Sequence, residues 1–196
     1  MFFQPFLALA LGYLLGSIPF GLLLTRLSGR GDIRDIGSGN IGATNVLRTG
    51  SKGLAAATLL LDALKGTAAV LLAEWLWPGH GRIAAGGALI GHLYPLWLRF
   101  RGGKGVATLL GILLGLAWPI GMIYAAVWIG GLLLLRISSV AGMAAAVSAP
   151  IASALLGRGE LTIMLAAFAL LIIYKHRENI ARLRAGTEPR VGRSRA

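Results

Sequence analysis

Between Val106 and Leu135 the chain carries no charged side chain, and this is only one of a series of apolar runs. Runs of about 17–25 apolar residues are long enough to cross a bilayer as helices. Within lipid a backbone must satisfy its own hydrogen bonds, so such runs predict helices rather than open strands. They lie at 2–27, 54–77, 83–98, 106–118, 120–135, 140–157 and 161–174. With 56% hydrophobic residues over 196 positions, there is too little polar surface to cover a soluble core of this size. The expectation is an all-α integral membrane protein, one domain over 1–196, built as a compact bundle of seven transmembrane helices. Several runs are short, which predicts tilt, local thinning or partial burial. No basic residue precedes the first run and no small-residue cleavage site follows it, so it reads as a retained span. The basic end, residues 189–196, reads as a disordered tail.

Charge decides between six and seven spans. With a turn at Trp118-Pro119, Arg26, Arg30, Arg34, Arg48, Lys52, Arg99, Arg101, Lys104, Arg136 and seven basic residues from Lys175 onward share one side. Only Arg82 and Arg158 face the other, and Lys65 lies within a span. A single helix over 106–135 would instead divide the loop cations evenly. The positive-inside tendency therefore predicts seven spans, the N-terminus outside and the C-terminus cytoplasmic. The whole formal excess of +12 then falls on the cytoplasmic face. There it sets topology and attracts anionic headgroups; nucleic acid is not expected.

Three stretches on that face have more than topology to explain. In "GSGNIGATNVLR", Gly37 and Gly39 let backbone N–H groups converge on an anion. Ser38, Asn40, Thr44 and Asn45 add donors, and Arg48 adds a forked cation suited to phosphate. The alternative is a flexible connector. In "FRGGKGVAT", Gly102, Gly103 and Lys104 precede a helix start, where amides and a point charge attract phosphate. It is not a nucleotide P-loop, because Leu98 stands where that motif needs glycine and Gly105 follows the lysine. In "YKHRENIARLRAGTE", His176, Asn179 and Arg182 share a helix face at three-residue spacing; an amphipathic lipid-surface helix is the alternative. Ser139 opens a span and is placed to cap it, to donate to phosphate, or both.

Asp62 and Lys65, neighbours on one helical face within a span, are expensive there unless paired. The pair is either structural or functional; His92, in or near another span, is by itself either a helix–helix hydrogen-bond partner or functional. Gly12/Gly16, Gly87/Gly91 and Gly111/Gly115 fit the small-xxx-small spacing of closely packed membrane helices.

The absences narrow the chemistry. Without cysteine there is no thiol nucleophile and no disulfide framework. There is no Gly-x-Ser-x-Gly elbow, no His-x4-Asp pair and no zinc-like His/Glu spacing. Neither metal nor cofactor is expected. What remains is a set of anion-binding loops at a membrane face, for substrates that bear phosphate and reach the bilayer.

These three motifs, in this order, resemble those of the bacterial acyl-phosphate-dependent glycerol-3-phosphate acyltransferases. The resemblance runs from Gly16-Ser17-Ile18-Pro19 to Glu188; Ile41 stands where proline is often found. It implies a seven-span inner-membrane enzyme with its site on cytoplasmic loops. It implies transfer of an acyl group from acyl phosphate to the 1-hydroxyl of glycerol 3-phosphate, giving lysophosphatidic acid and phosphate. The catalytic residues expected are Ser38, Arg48, Lys104, His176 and Asn179. Gly37, Gly39, Asn40, Thr44, Asn45, Gly102, Gly103, Ser139 and Arg182 are expected to bind substrate. Two rivals stay open: a transporter or flippase for a phosphorylated solute, and a purely structural membrane partner.

Overall fold

A computed structural model describes residues 2–192; positions 193–196 of the expected tail lie outside the described residues. Every regular element among the described residues is helical: α1 (Gln4–Gly16), α2 (Phe20–Leu27), α3 (Ala43–Leu47), α4 (Lys52–Leu76), α5 (Gly81–Leu93), α6 (Val106–Leu135), α7 (Ser138–Leu155), α8 (Gly159–Lys175) and α9 (Arg177–Arg184). Four segments are long and apolar enough to cross a membrane, Gln4–Leu27, α4, α6 and α7. Joining α8 to α9 across their 58° bend makes a fifth. The chain forms two compact units, Met1–Ala117 and Trp118–Ala196.

Two expected spans differ. The run 2–27 is broken, because Pro19 donates no N–H and the helix stops at Gly16. The run 83–98 yields only a 13-residue helix ending at Leu93. Pro95 disfavours helical backbone at Tyr94, and Leu96–Leu98 forms a single 3-10 turn instead. At the expected turn near Pro119 the helical backbone is interrupted at Ala117, with φ −159° and ψ 83°.

In the first unit α1 packs on α5 and α4. The first contact depends on glycine from both sides. A Cβ on Gly12 or Gly16 would fall on the carbonyls of Ala84 and Ala88, and one on Gly87 or Gly91 on those of Leu9 and Tyr13. Gly66 and Gly111 likewise meet the backbones of Thr108 and Ala63, which seats the start of α6 on α4. Small residues let backbones approach where lipid offers no hydrophobic drive between helices. Where helices cross closely the interior is accordingly small, with Ala69, Ala73, Ala84, Ala85 and Ala88 buried, and Leu89, Leu93, Leu109, Ile112 and Leu113 fill the remainder. Large side chains such as Leu60, Leu71 and Phe6 are outside. In water an apolar surface of this extent would be an aggregation hazard; in lipid it is the solvated face.

The second unit repeats this design. Ala141, Ala145, Ala149 and Ala152 form a buried stripe on α7, the helix that packs on α8, whose buried residues include Leu161, Leu165, Phe168 and Ile172. Leu134, Leu155 and Ile163 are more than four-fifths exposed.

Candidate functional site

The first motif folds around one side chain. Asn45, at 2% exposure, donates from Nδ2 to the carbonyls of Ile33 (2.9 Å) and Ile36 (2.8 Å). Its Oδ1 accepts the Ser38 backbone N–H at 3.1 Å and the Arg48 guanidinium at 3.2 Å. The Ser38 hydroxyl lies 3.4 Å from the same oxygen. One amide thus closes the loop and orients Arg48, the cap of the short α3. Gly37 has φ +59°, and a Cβ there would meet Asn45 Oδ1 and the Arg48 guanidinium. No other residue fits that position without strain. Asn40 Oδ1 accepts the Gly42 N–H at 2.9 Å, an Asx turn that starts α3. Beneath, Leu22, Ile33, Ile41, Val46, Ala55 and Leu98 form a small apolar cluster that anchors the loop. Ile41, the departure from the family pattern, is a member of that cluster and is 2% exposed.

On the exposed side of this loop, Asp32 caps the 3-10 turn Ile33–Asp35 and takes the guanidinium groups of Arg34 and Arg26 at 2.5 and 2.6 Å. The hydrogen bond from Arg34 holds its carboxyl well below the usual carboxylate range, outweighing burial.

The second motif begins with Arg99 and Phe100 in the left-handed region, at φ 53° and 61°. It then turns back on α5, where the N–H of Gly102 donates to Leu93 O (3.2 Å) and that of Gly103 to His92 O (3.0 Å). A Cβ on Gly103 would land on the His92 ring. Lys104 and Gly105 follow, and α6 starts at Val106.

Asp62, Lys65 and His92 form a third polar group of the first unit, all buried. Lys65 Nζ lies 2.7 Å from Asp62 Oδ1 and donates to Ile18 O at 2.7 Å. Ile18 belongs to the α1–α2 break, so the lysine adds a donor to a carbonyl there that otherwise accepts the Phe20 N–H alone, at 3.2 Å. Trp97 Nε1 donates to Ser17 O at 2.8 Å. His92 Nδ1 stands 3.8 Å from Asp62 Oδ1.

In the second unit the third motif straddles the α8–α9 break. His176, 3% exposed, has Nδ1 at 2.7 Å from Ile172 O. A carbonyl only accepts, so Nδ1 carries a proton, and in the neutral ring the lone pair is on Nε2. Asn179 Nδ2 and Ser139 Oγ donate to Glu188 Oε1 at 2.5 and 2.7 Å, and Arg182 Nε to Oε2 at 2.7 Å. Burial pushes the Glu188 carboxyl up, but the bonds from Ser139, Asn179 and Arg182 outweigh it and hold the pKa below the ordinary value. The Val191 N–H donates to Arg136 O at 2.7 Å, tying part of the expected tail to the α6–α7 connection.

Ser139, far in sequence from Asn179 and Arg182, therefore does meet them, and all three meet on Glu188. Sequence reasoning quoted Glu188 within the motif and gave it no role. The available signal was an acid closing a strongly basic segment just after Gly186. Beside this cluster lies an open apolar groove of about 530 Å³, lined by Val140, Met143, Ala144, Val147, Ile151 and Ile180 among others. Val140 and Ile180 immediately follow Ser139 and Asn179 in the chain.

Residues 6–186 match the family described as glycerol-3-phosphate acyltransferase. The glycerol-3-phosphate acyltransferase of Mesorhizobium japonicum is 59% identical over 95% of this chain and 95% of the relative. That of Brucella anthropi is 57% identical over 94% of this chain and 92% of the relative. The crystal structure of PlsY (YgiH), an integral membrane glycerol 3-phosphate acyltransferase, in its glycerol 3-phosphate form superposes with a TM-score of 0.90 at 37% identity, covering 96% of each chain. Its lysophosphatidic acid form gives 0.88 at 36% identity, covering 96% of this chain and 95% of that one. Membrane-length apolar helices, the three motifs and these likenesses converge: the chain is a multi-pass membrane acyltransferase and belongs to the glycerol-3-phosphate acyltransferase family.

Proposed function

We propose that the chain transfers the acyl group of an acyl phosphate to the 1-hydroxyl of glycerol 3-phosphate, giving lysophosphatidic acid and phosphate. The observation that carries this reading is the Asn45-centred loop, a backbone cage that fixes Ser38 and Arg48 in a chain whose relatives act on glycerol 3-phosphate. The related crystal forms hold glycerol 3-phosphate and lysophosphatidic acid, the acceptor and the product of such a step.

Both substrates are phosphate anions and repel each other. Arg48 and Lys104 neutralise that charge, with Ser38 donating to phosphate oxygen. An acyl phosphate is a mixed anhydride, so its carbonyl is already activated. The acceptor hydroxyl oxygen attacks the carbonyl carbon, the bond from that carbon to the phosphate oxygen breaks, and phosphate leaves with the electron pair. Catalysis is then positioning and charge stabilisation without a covalent enzyme intermediate. His176 Nε2, with its tautomer set by Ile172 O, takes the proton of the hydroxyl, or orients the hydroxyl while a substrate phosphate oxygen takes it. Glu188 holds Asn179 and Arg182 in place for substrate.

The acyl chain lies in the apolar groove on α7. From Val140 to Ile151 an α-helix rises about 16 Å, close to half of a hydrocarbon core about 30 Å thick. That suits a chain held within one leaflet. In this reading the protein crosses the inner membrane seven times, with its N-terminus outside and the three motifs in the cytoplasm, where the cationic excess belongs.

Detergent-solubilised protein supplied with acyl phosphate and glycerol 3-phosphate is expected to form lysophosphatidic acid, and none with acyl-CoA. A transporter of phosphorylated solutes would give no product in detergent and would move solute in vesicles.

A further inference from the structure

The buried group of Asp62, Lys65 and His92 takes no part in the reaction as written, and it is costly. Ionisable side chains within a membrane helix persist when they are paired and have a task. Its connections indicate the task. Lys65 is bonded to Ile18 O at the α1–α2 break and lies 5.7 Å from the Phe20 ring centroid. Asp62 joins Lys65 to His92. His92 ends the series against the glycine loop. Its carbonyl accepts the Gly103 N–H at 3.0 Å, and its ring fills the space that a side chain at 103 would occupy. His92 is 4% exposed, so the ring has no open solvent to swing into.

We infer that His92, braced by the Asp62–Lys65 pair, is a positioning residue for the loop 102–105. The ring and the main chain of one histidine hold Gly103 from two sides, and this fixes the backbone on which Lys104 stands. Glycine is required at 103 because the imidazole has taken the place of its Cβ. Asp62, 3.8 Å from the ring nitrogen, packs beside it, and Lys65 balances Asp62 while tying the group to the break in the first span. This inference rests on the reading of Lys104 as a phosphate-binding residue.

The test is steady-state kinetics on the purified full chain, varying each substrate separately, with thermal unfolding measured in parallel. His92→Phe keeps a ring against Gly103 but loses the link to Asp62. We expect it to fold and to raise the KM of one phosphate substrate on the order of 10- to 100-fold, as a displacement of about 1 Å can. The other KM should move little. A merely structural role would reduce the active fraction, hence the apparent kcat, and leave both KM values alone. Gly103→Ala should lower the unfolding temperature. Adding His92→Ala should restore it, because the vacated ring volume admits the methyl, while the KM defect remains. Should His92→Phe not fold, Asp62→Leu with Lys65→Met removes the brace without stranding a charge and is expected to give the same KM rise. The inference is overturned if these variants keep both KM values within about twofold of the parent while Lys104→Ala is impaired. An unimpaired Lys104→Ala would overturn the phosphate reading itself.

Discussion

Each unit gathers residues of one motif around a polar hub, and the two hubs differ in kind. Asn45 is a neutral amide. It donates twice and accepts from Ser38 and Arg48, and most of its partners are main-chain groups. Glu188 is a carboxylate that can only accept, and its three partners are side chains of Ser139, Asn179 and Arg182. The first hub fixes a backbone shape independently of pH. The second depends on a charge, so its grip on α9 follows proton and salt concentration. A cage for a substrate anion benefits from the first design, because it spends no negative charge near the ligand. A clasp on a C-terminal segment can use the second.

The largest effect should come from Asn45→Ala. It removes the two donors that bridge the Ile33 and Ile36 carbonyls, which keep one backbone N–H each, and takes the acceptor from the Ser38 N–H and the Arg48 guanidinium. At about 1 kcal/mol for each hydrogen bond lost, and more for the one from Arg48, the loss should reach about 3 kcal/mol. Thermal unfolding in detergent would measure it, and activity should be abolished. Asn45→Asp should fare no better, since it keeps the shape but loses both donors. A stable and active Asn45→Asp protein would show that the loop is not held as described.

Glu188→Gln should cost about 2 kcal/mol, the range for hydrogen bonds to a charged group. The pH dependence sharpens the contrast. The folded pKa of Glu188 is depressed, so its stabilisation is fully present above the unfolded value of about 4.3. It is lost as pH falls through the lower folded value. Protection of 177–188 against hydrogen exchange, corrected for intrinsic rates, should therefore weaken in acid, while that of 37–48 holds. In Glu188→Gln the protection of 177–188 should no longer respond to pH. The smallest effect belongs to Asp32→Asn: its ion pairs with Arg26 and Arg34 are exposed, and such pairs are worth less than about 1 kcal/mol.

The all-helical membrane class and the glycine spacings were legible because both are local. Seven apolar runs were expected to cross, whereas four segments, or five with α8 joined to α9, are long and apolar enough to do so; Gly12/Gly16 meets the helix of Gly87/Gly91 at the spacing that predicts close packing. The broken first span was harder to read. Pro19 was in view, but helices in lipid accept proline where neighbours satisfy the exposed carbonyls, and the side chains that bond carbonyls at this break, Lys65 and Trp97, are distant in sequence. The motif residues were legible as a set, while their division of labour was not. Asn45 reads as a phosphate donor from its type alone; in the fold its amide is committed to the loop. Ser139 and Glu188 are 49 residues apart, and nothing in their local spacing joins them. Asp62 and Lys65 were recognisable as a pair by helical periodicity, whereas His92 joins them only through the packing of α5 on α4.

The claim on which the rest depends is that Arg48 and Lys104 carry acyl transfer between two phosphate anions. It is tested most directly by measuring lysophosphatidic acid formation from acyl phosphate and glycerol 3-phosphate by parent, Arg48→Ala and Lys104→Ala proteins, side by side across pH. The account predicts that each substitution lowers kcat/KM by at least about 100-fold, roughly 2.7 kcal/mol of transition-state stabilisation. Near-parental kcat/KM in either variant, with normal folding, would contradict it.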